Sequence, residues 1–205
     1  MGKRIFEISM SVDGFITATD QSADNPMGHD ESGSSGHVLH QWVHNYEHET
    51  AEATVPDTRR PDVFGAIICG RRTYETSLPW WQADGPSGPL RLPVVVLASG
   101  QPTKPPADSV YSFATNVEDA IAQASKLAGG KDISVMGGGT IGGAFLRAGL
   151  LDEIKIHVAP VIFGQGTRLF DEVGSRHIHL EQIEAAPRPD ATHLRYRVLP
   201  GPSKS

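Results

Sequence analysis

Ile133-Ser-Val-Met-Gly-Gly-Gly-Thr-Ile-Gly-Gly-Ala-Phe-Leu146 changes its backbone preference twice within a short span. Ile133 to Met136 is apolar and reads as a strand. Gly137-Gly138-Gly139 interrupts it, and Thr140, Ile141, Ala144, Phe145 and Leu146 then recur at helical spacing. A strand, a glycine turn and a helix start leave bare backbone N–H groups beside the positive end of a helix dipole, which suits a phosphate. Consecutive glycines let the backbone approach a ligand closely or take a positive φ. The same residues also serve as a tight turn that holds nothing, because they lack the spaced glycines of a Rossmann fingerprint. The segments around them must decide between the two readings.

A chain of 205 residues predicts a single domain, with an ordered core over about residues 3–199. Its hydrophobic share of 39% and charged share of 20% are those of a globular protein with a sizeable core. A net charge of −6 offers no basic stripe to neutralise nucleic-acid phosphates, so no nucleic-acid partner is expected. No run has the length of a membrane span, and Met1-Gly-Lys-Arg-Ile-Phe-Glu7 does not read as a signal peptide. A cytoplasmic protein with no membrane partner is therefore expected. A single Cys69 excludes an internal disulfide and a cysteine-based metal site.

Before the glycine stretch, Arg4 to Ser11 reads as a buried first strand ended by Asp13-Gly14, with Phe15 to Thr19 following. Asp20 to Gly36 is a long polar loop of the kind that is usually functional or mobile. His37 to Ala53 reads as a helix with Leu39, Trp42, Val43, Tyr46 and Ala53 on one face, and Pro56 to Pro61 as a turn. Val63 to Cys69 is a continuous apolar run, the pattern of a strand buried on both faces in a parallel sheet. Gly70 to Glu75 opens a short helix, Pro79 to Pro93 reads as an irregular loop, and Pro93 to Ala98 is another buried strand. Val110 to Phe113 is a short strand, and Asn116 caps a helix over Val117 to Ala128. After the glycines, Leu151 to Ala159 alternates as a strand, Gly164-Gln-Gly166 turns, and His177 to Ala185 and Thr192 to Leu199 pair as an antiparallel end. The tail from Gly201 reads as disordered. This order predicts an α/β fold: a mixed, mainly parallel sheet flanked by helices, with antiparallel C-terminal strands.

Gly70-Arg71-Arg72-Thr73 places two arginines in the first turn of a helix, against the preference of the dipole for acids there. Their forks make sense beside a bound anion, or as a solvated pair on the surface. Ser99 follows a buried strand and can hydrogen-bond a phosphate or form a local turn. Strand ends near 69, 99 and 136 thus all deliver small or anion-friendly residues. Ligands of open α/β sheets bind outside the carboxyl ends of strands, so this convergence points to a phosphorylated cofactor.

Met10-Ser-Val-Asp-Gly-Phe-Ile16, Cys69-Gly-Arg-Arg-Thr-Tyr-Glu75, Val94-Val-Val-Leu-Ala-Ser99 and Val135-Met-Gly-Gly-Gly139 occur in the order and rough spacing of the dihydrofolate reductase superfamily. The run Gly149 to Phe170 resembles its riboflavin-biosynthesis branch, the RibD C-terminal domain-like reductases that act on a phosphoribosylamino-pyrimidine. The resemblance spans about residues 3–198. It implies a dihydrofolate reductase-like fold and an NADPH-dependent oxidoreductase, a 5-amino-6-(5-phosphoribosylamino)uracil reductase-like activity, and a homodimer. It implies that Gly70, Arg71, Arg72 and Thr73 hold cofactor phosphates at a helix N-terminus, and that Ser99 lies near the adenosine 2′-phosphate, hence NADPH over NADH. Gly137, Gly138, Gly139, Thr140 and Ile141 match the turn under the pyrophosphate, where the family joins two glycines by a cis peptide. Ser9, Ile16 and Thr17 match the nicotinamide end. The substrate would sit between the first helix, the 14–36 loop and the 160–170 turn, with Trp42 and Arg168 as candidate contacts.

One position departs from the pattern. True dihydrofolate reductases carry a carboxylate three residues before the tryptophan that is Trp42 here, and this chain has Leu39. Without that acid, protonation of a pterin lacks its usual guide, so folate is disfavoured as substrate. Asp13 is the candidate substitute, with Asp30 and Glu49 beside it, although acids in loops usually only face solvent. True dihydrofolate reduction and a non-catalytic nucleotide sensor remain as alternatives. His37, His40, His44 and His48 share one stripe of the first helix, opposite its apolar face, and read as a solvated or subunit-facing row, so no metal is expected. Trp80 and Trp81 can line a pocket or cover the sheet.

Overall fold

The computed structural model describes residues 2–22, 24–45, 60 and 62–201. Tyr46, His48, Glu49, Ala53, most of the 56–61 turn and residues 202–205 lie outside the described residues, as does the side chain of His44. In chain order the elements are β1 (Arg4–Ser11), β2 (Phe15–Thr17), a 3₁₀ turn (Gly36–His40), α1 (Gln41–Asn45), β3 (Phe64–Gly70), α2 (Arg71–Trp81), β4 (Val94–Leu97), β5 (Tyr111–Ala114), α3 (Val117–Leu127), β6 (Asp132–Met136), α4 (Gly139–Arg147), β7 (Glu153–Ala159), β8 (Thr167–Arg168), β9 (Leu180–Pro187) and β10 (Thr192–Val198). No helix among the described residues is long and apolar enough to cross a membrane.

The main sheet has the order β5-β4-β3-β6-β1-β7-β10-β9. Its first six strands are parallel, and β10 and β9 add antiparallel pairs at one edge. The fold is the expected mixed α/β sheet. Strand β3 is apolar on both faces because each face meets a core. Ala66 and Ile68 join Phe6, Val95, Val135 and Phe145 under α3 and α4. Ile67 and Cys69 join Ile5, Val94, Val96 and Tyr74 of α2 on the other side. Asn116 caps α3 as its sequence requires, its side chain accepting from the Asp119 amide at 2.8 Å.

Two local expectations are corrected, and one segment that the sequence left unplaced finds its partner. Helix α2 continues through Pro79 to Trp81, where the sequence predicts an irregular loop, and Gln82 still donates to the Leu78 carbonyl at 3.0 Å. Pro79 costs the helix its bond to the Glu75 carbonyl, but only two helical residues follow it, so the proline-rich segment still starts as helix. Phe15–Thr17 joins no main-sheet strand but pairs with β8 in a separate two-stranded ribbon. The first helix begins as a 3₁₀ turn capped by Ser35, whose Oγ accepts from the His37 amide. The expected solvated histidine row is not uniform: His37 is exposed, whereas His40 is half-buried and faces a cleft.

The glycine stretch is a strand–turn–helix as read. The described peptide bonds are all trans, against the cis bond the resemblance implies, and Gly137 makes the turn at a φ of 127°. Gly142 has a different role. A Cβ there would lie 2.6 Å from the ring of Phe6, which is itself fully buried between β6 and β7. Gly142→Ala is therefore expected to lower unfolding stability by about 1–3 kcal/mol through overpacking. Denaturant titration checks this, and an unchanged midpoint would show that Phe6 can move aside.

Candidate active site

Helices α2 and α4 both start at the carboxyl ends of neighbouring strands, β3 and β6, and neither has a side-chain cap. Their first amide groups are the backbone donors that a side chain would otherwise satisfy. Both starts line a cleft of about 810 Å³, which also takes in the ends of β1 and β4. Arg71 is braced at the rim: its Nε donates to Glu75 at 2.9 Å and its Nη1 to the Ser99 carbonyl at 3.2 Å. This links the start of α2 to the loop after β4. Burial raises the Glu75 carboxyl, but hydrogen bonds from the Thr103 amide and Arg71 outweigh it and hold the group below its usual range. Arg72 donates to Gln21 Oε1, and Gln21 in turn donates to Thr17 and Thr167, so the polar loop after β2 is tied to the same rim.

On and behind the floor of the cleft, three adjacent strands bring polar side chains into line, with Ser9 and His157 lining it. Ser9 of β1 pairs in register with His157 of β7, and His157 with His193 of β10. Trp42 of α1 donates from Nε1 to Ser9 Oγ at 2.9 Å and lies over His157 with ring centroids 4.0 Å apart. Glu7, two residues before Ser9 and therefore on the same face, meets His157 Nε2 at 3.0 Å. His157 Nδ1 lies 2.6 Å from His193 Nδ1. Ser134 of β6 also lines the cleft, and its Oγ is buried without a hydrogen-bond partner among the described residues. An orphan hydroxyl, two uncapped helix starts and a pair of arginines form a donor set for a large, anionic, partly planar ligand.

The RibD C-terminal domain family matches residues 3–194. The chain belongs to that family. The riboflavin biosynthesis protein RibD of Mycobacterium tuberculosis is 30% identical over 150 residues, which cover 67% of this chain and 41% of that protein. The chain thus spans well under half the length of this curated relative. A crystal structure of a putative riboflavin biosynthesis protein from Shewanella sp. PV-4 superposes with a TM-score of 0.66, at 22% identity, over 97% of this chain and 99% of that one. The diaminohydroxyphosphoribosylaminopyrimidine deaminase/5-amino-6-(5-phosphoribosylamino)uracil reductase of Thermotoga maritima gives 0.60 at 14% identity, over 97% of this chain and 57% of that one. These two structures share the fold.

In this RibD C-terminal domain the cofactor candidates named from sequence come together. Ser9, Ile16, Thr17, Gly70, Arg71, Arg72, Thr73, Ser99 and the run Gly137 to Ile141 all line the one cleft, and so does Trp42. Trp81 lines it too while packing on the core beside Tyr74, whereas Trp80 is exposed. Leu39 is fully buried, so no acid reaches the cleft from that position.

Asp13 and Arg168 stand outside the lining. The Asp13 carboxylate accepts from Ser11 Oγ at 2.6 Å and from the amides of Phe163 and Gly164 at 3.1 and 2.7 Å. Arg168 donates to the Asp13 carbonyl and lies over the Phe15 ring. Asp30 is likewise bound to its own turn, accepting from the amides of Ser32 and Ser34. The sequence reading missed Glu7, Ser134, His157 and His193. Their signal was polar residues at every second position of strands that otherwise read as buried, Glu7-Ile-Ser9 and Lys155-Ile-His157 among them.

Partial burial raises the Asp13 carboxyl, but the hydroxyl and amide hydrogen bonds bring it down to about 2. A depressed carboxyl stabilises the fold above its unfolded pKa and loses that contribution as pH falls through the folded value. Asp13→Asn should therefore melt below wild type at neutral pH, with the gap closing between about pH 4 and pH 2. A gap that persists unchanged at the acid end would mean the carboxylate charge is not what staples the 163–164 amides.

Proposed function

We propose that the protein is an NADPH-dependent reductase that transfers hydride to a phosphoribosylamino-pyrimidine or a similar small substrate. One observation carries this reading: two uncapped helix N-termini, α2 and α4, open with Arg71 and Arg72 onto a single cleft large enough for a dinucleotide. Family membership supports it, as do the names of the Mycobacterium tuberculosis and Thermotoga maritima relatives. Bound there, a reduced nicotinamide would supply the hydride.

The chain's own residues have separable tasks. Backbone amides at Gly70–Thr73 and Gly138–Ile141 receive the phosphates, and Gly138 suits close approach because a Cβ there would meet only Ile16 Cδ1, at 3.7 Å. Arg71 neutralises phosphate charge at the rim, and Ser99 beside it favours a 2′-phosphate. Ser9, Ile16 and Thr17 bound the nicotinamide end, where Trp42 covers the sheet and excludes water. True dihydrofolate reduction is the weaker reading, since the first helix presents buried Leu39 where that reaction has its carboxylate.

Calorimetric titration with NADPH and NADH tests the reading. Arg71→Ala should weaken NADPH about 10- to 100-fold, the loss of one charge-assisted contact. Ser99→Ala should weaken NADPH more than NADH. Absence of NADPH binding would overturn the reductase reading. Binding without oxidation in the presence of 5-amino-6-(5-phosphoribosylamino)uracil would favour a nucleotide sensor instead.

We also infer a homodimer. Strand β9 closes one edge of the sheet, is exposed along most of its length, and leaves Leu180 and Ile183 in solvent. An unprotected edge strand with apolar side chains is a template for pairing with another chain. Light scattering should give twice the monomer mass, and Ile183→Lys should shift the protein toward monomer. A monomer at all concentrations would remove the inference.

A further inference from the structure

Hydride addition to a C=N or C=O bond leaves negative charge on the heteroatom unless a proton arrives with it. The usual acid is absent at Leu39, and Asp13 and Asp30 are bound in their own loops. We propose that Glu7 and His157 act as one acid on the floor of the cleft, delivering the proton to a ring or imine nitrogen of the substrate. The proposal rests on the reductase reading above and assigns the residues that complete it.

Both groups face the cleft and are largely withdrawn from water, with side-chain exposures of 13% for Glu7 and 6% for His157. Their contact at 3.0 Å places a proton between a carboxylate oxygen and Nε2. The imidazole is held in one orientation from two sides. Trp42 covers its ring, and its Nδ1 is engaged by His193 Nδ1 at 2.6 Å, so one of the two imidazoles must donate there. Burial, followed by repulsion from His157, lowers His193 to about 4 and keeps it neutral near neutral pH. His193 is the inner end of this chain of groups, and the Glu7–His157 contact is its cleft end.

Other charged groups among the described residues lie nearby. Lys155, opposite Glu7 on β7, reaches over the Phe64 ring, and Arg195 of β10 is held by Glu153. Asp190 and Arg188 act on His193 with opposite signs. His40, from the 3₁₀ turn, is the remaining titratable group of the described residues on this side of the cleft. In the step itself, the acceptor C=N π bond opens. Its carbon takes the hydride that the reduced nicotinamide gives up, its nitrogen takes the proton, and the imine becomes an amine. A reduced nicotinamide bound there would be left oxidised, and the Glu7–His157 pair would be left one proton short, to be refilled from solvent.

The test is a proton-transfer measurement that needs no turnover. The probe is 2,4-diaminopyrimidine, a weak base whose ultraviolet spectrum reports protonation of its ring nitrogen. Wild type should bind it in the protonated form at a pH where the free probe is neutral. Glu7→Gln should lose that spectrum and at least about tenfold in affinity, Glu7→Asp should regain part of both, and His157→Gln should move the pH at which the bound probe is protonated. Where turnover is measurable, Glu7→Gln should cost about 100-fold in kcat with little change in KM. A probe bound neutral by wild type, no probe binding, or an unchanged Glu7→Gln profile would each overturn the proposal. NADPH titration of the same samples separates the two readings, because failure there removes the reductase assignment whatever the probe reports.

Discussion

Strand β6 runs between β1 and β3 in the middle of the sheet, and the rest of the molecule depends on how it ends. A parallel strand must leave its sheet at once and return as a helix across one face. Here Gly137 makes that exit at a φ of 127°, a conformation that side-chain-bearing residues rarely adopt, and Thr73 Oγ1 already occupies the place of a Cβ. The helix that follows can then lie unusually low. Gly139 sits under the Leu169 carbonyl, Gly142 under the Phe6 ring and Gly143 against the Glu172 backbone. Close packing of α4 is what sets its first turn beside that of α2, so one turn governs both the core and the cleft.

That dependence explains why the fold was legible. The bounds of β1 and the capped start of α3 follow from residue pattern alone, and the apolar run before Gly70 announces a strand covered on both faces. These are short-range rules, and each acts within one element. The features that sequence concealed are set by contacts between distant segments. Helix α2 passes through Pro79 because Trp81 packs on the core beyond it, and nothing in the local sequence Leu-Pro-Trp-Trp states that this contact is available. Phe15–Thr17 looks like a continuation of the main sheet but is paired by Thr167 and Arg168, about 150 residues away in the chain.

The candidate site divides along the same line. The end formed by the helix starts was visible because glycines and arginines at helix starts are locally anomalous and call for an explanation. Most of its floor was hidden because Glu7, His157 and His193 each look like an ordinary polar position on an alternating strand. Only the sheet order β1-β7-β10 makes them neighbours, and Trp42 of the first helix covers the His157 ring. Asp13 misled for the opposite reason. It stands in the motif and near the right loop, yet its carboxylate is consumed by the Phe163 and Gly164 amides.

A carboxylate need not come from the first helix to serve this cleft. Seen from the ligand side, Leu39 belongs to the wall that packs against the sheet, and Glu7 belongs to the sheet itself. An acid on a helix is placed by side-chain packing, whereas one on a central strand is placed by the backbone ladder on both sides. Glu7 has such ladders, to Met136 on β6 and Lys155 on β7. Its position is therefore as fixed as the fold, and the imidazole of His157 fixes its carboxylate in turn. Leu39 thus leaves the helix wall without a carboxylate, while the sheet below it holds one in a more rigid place.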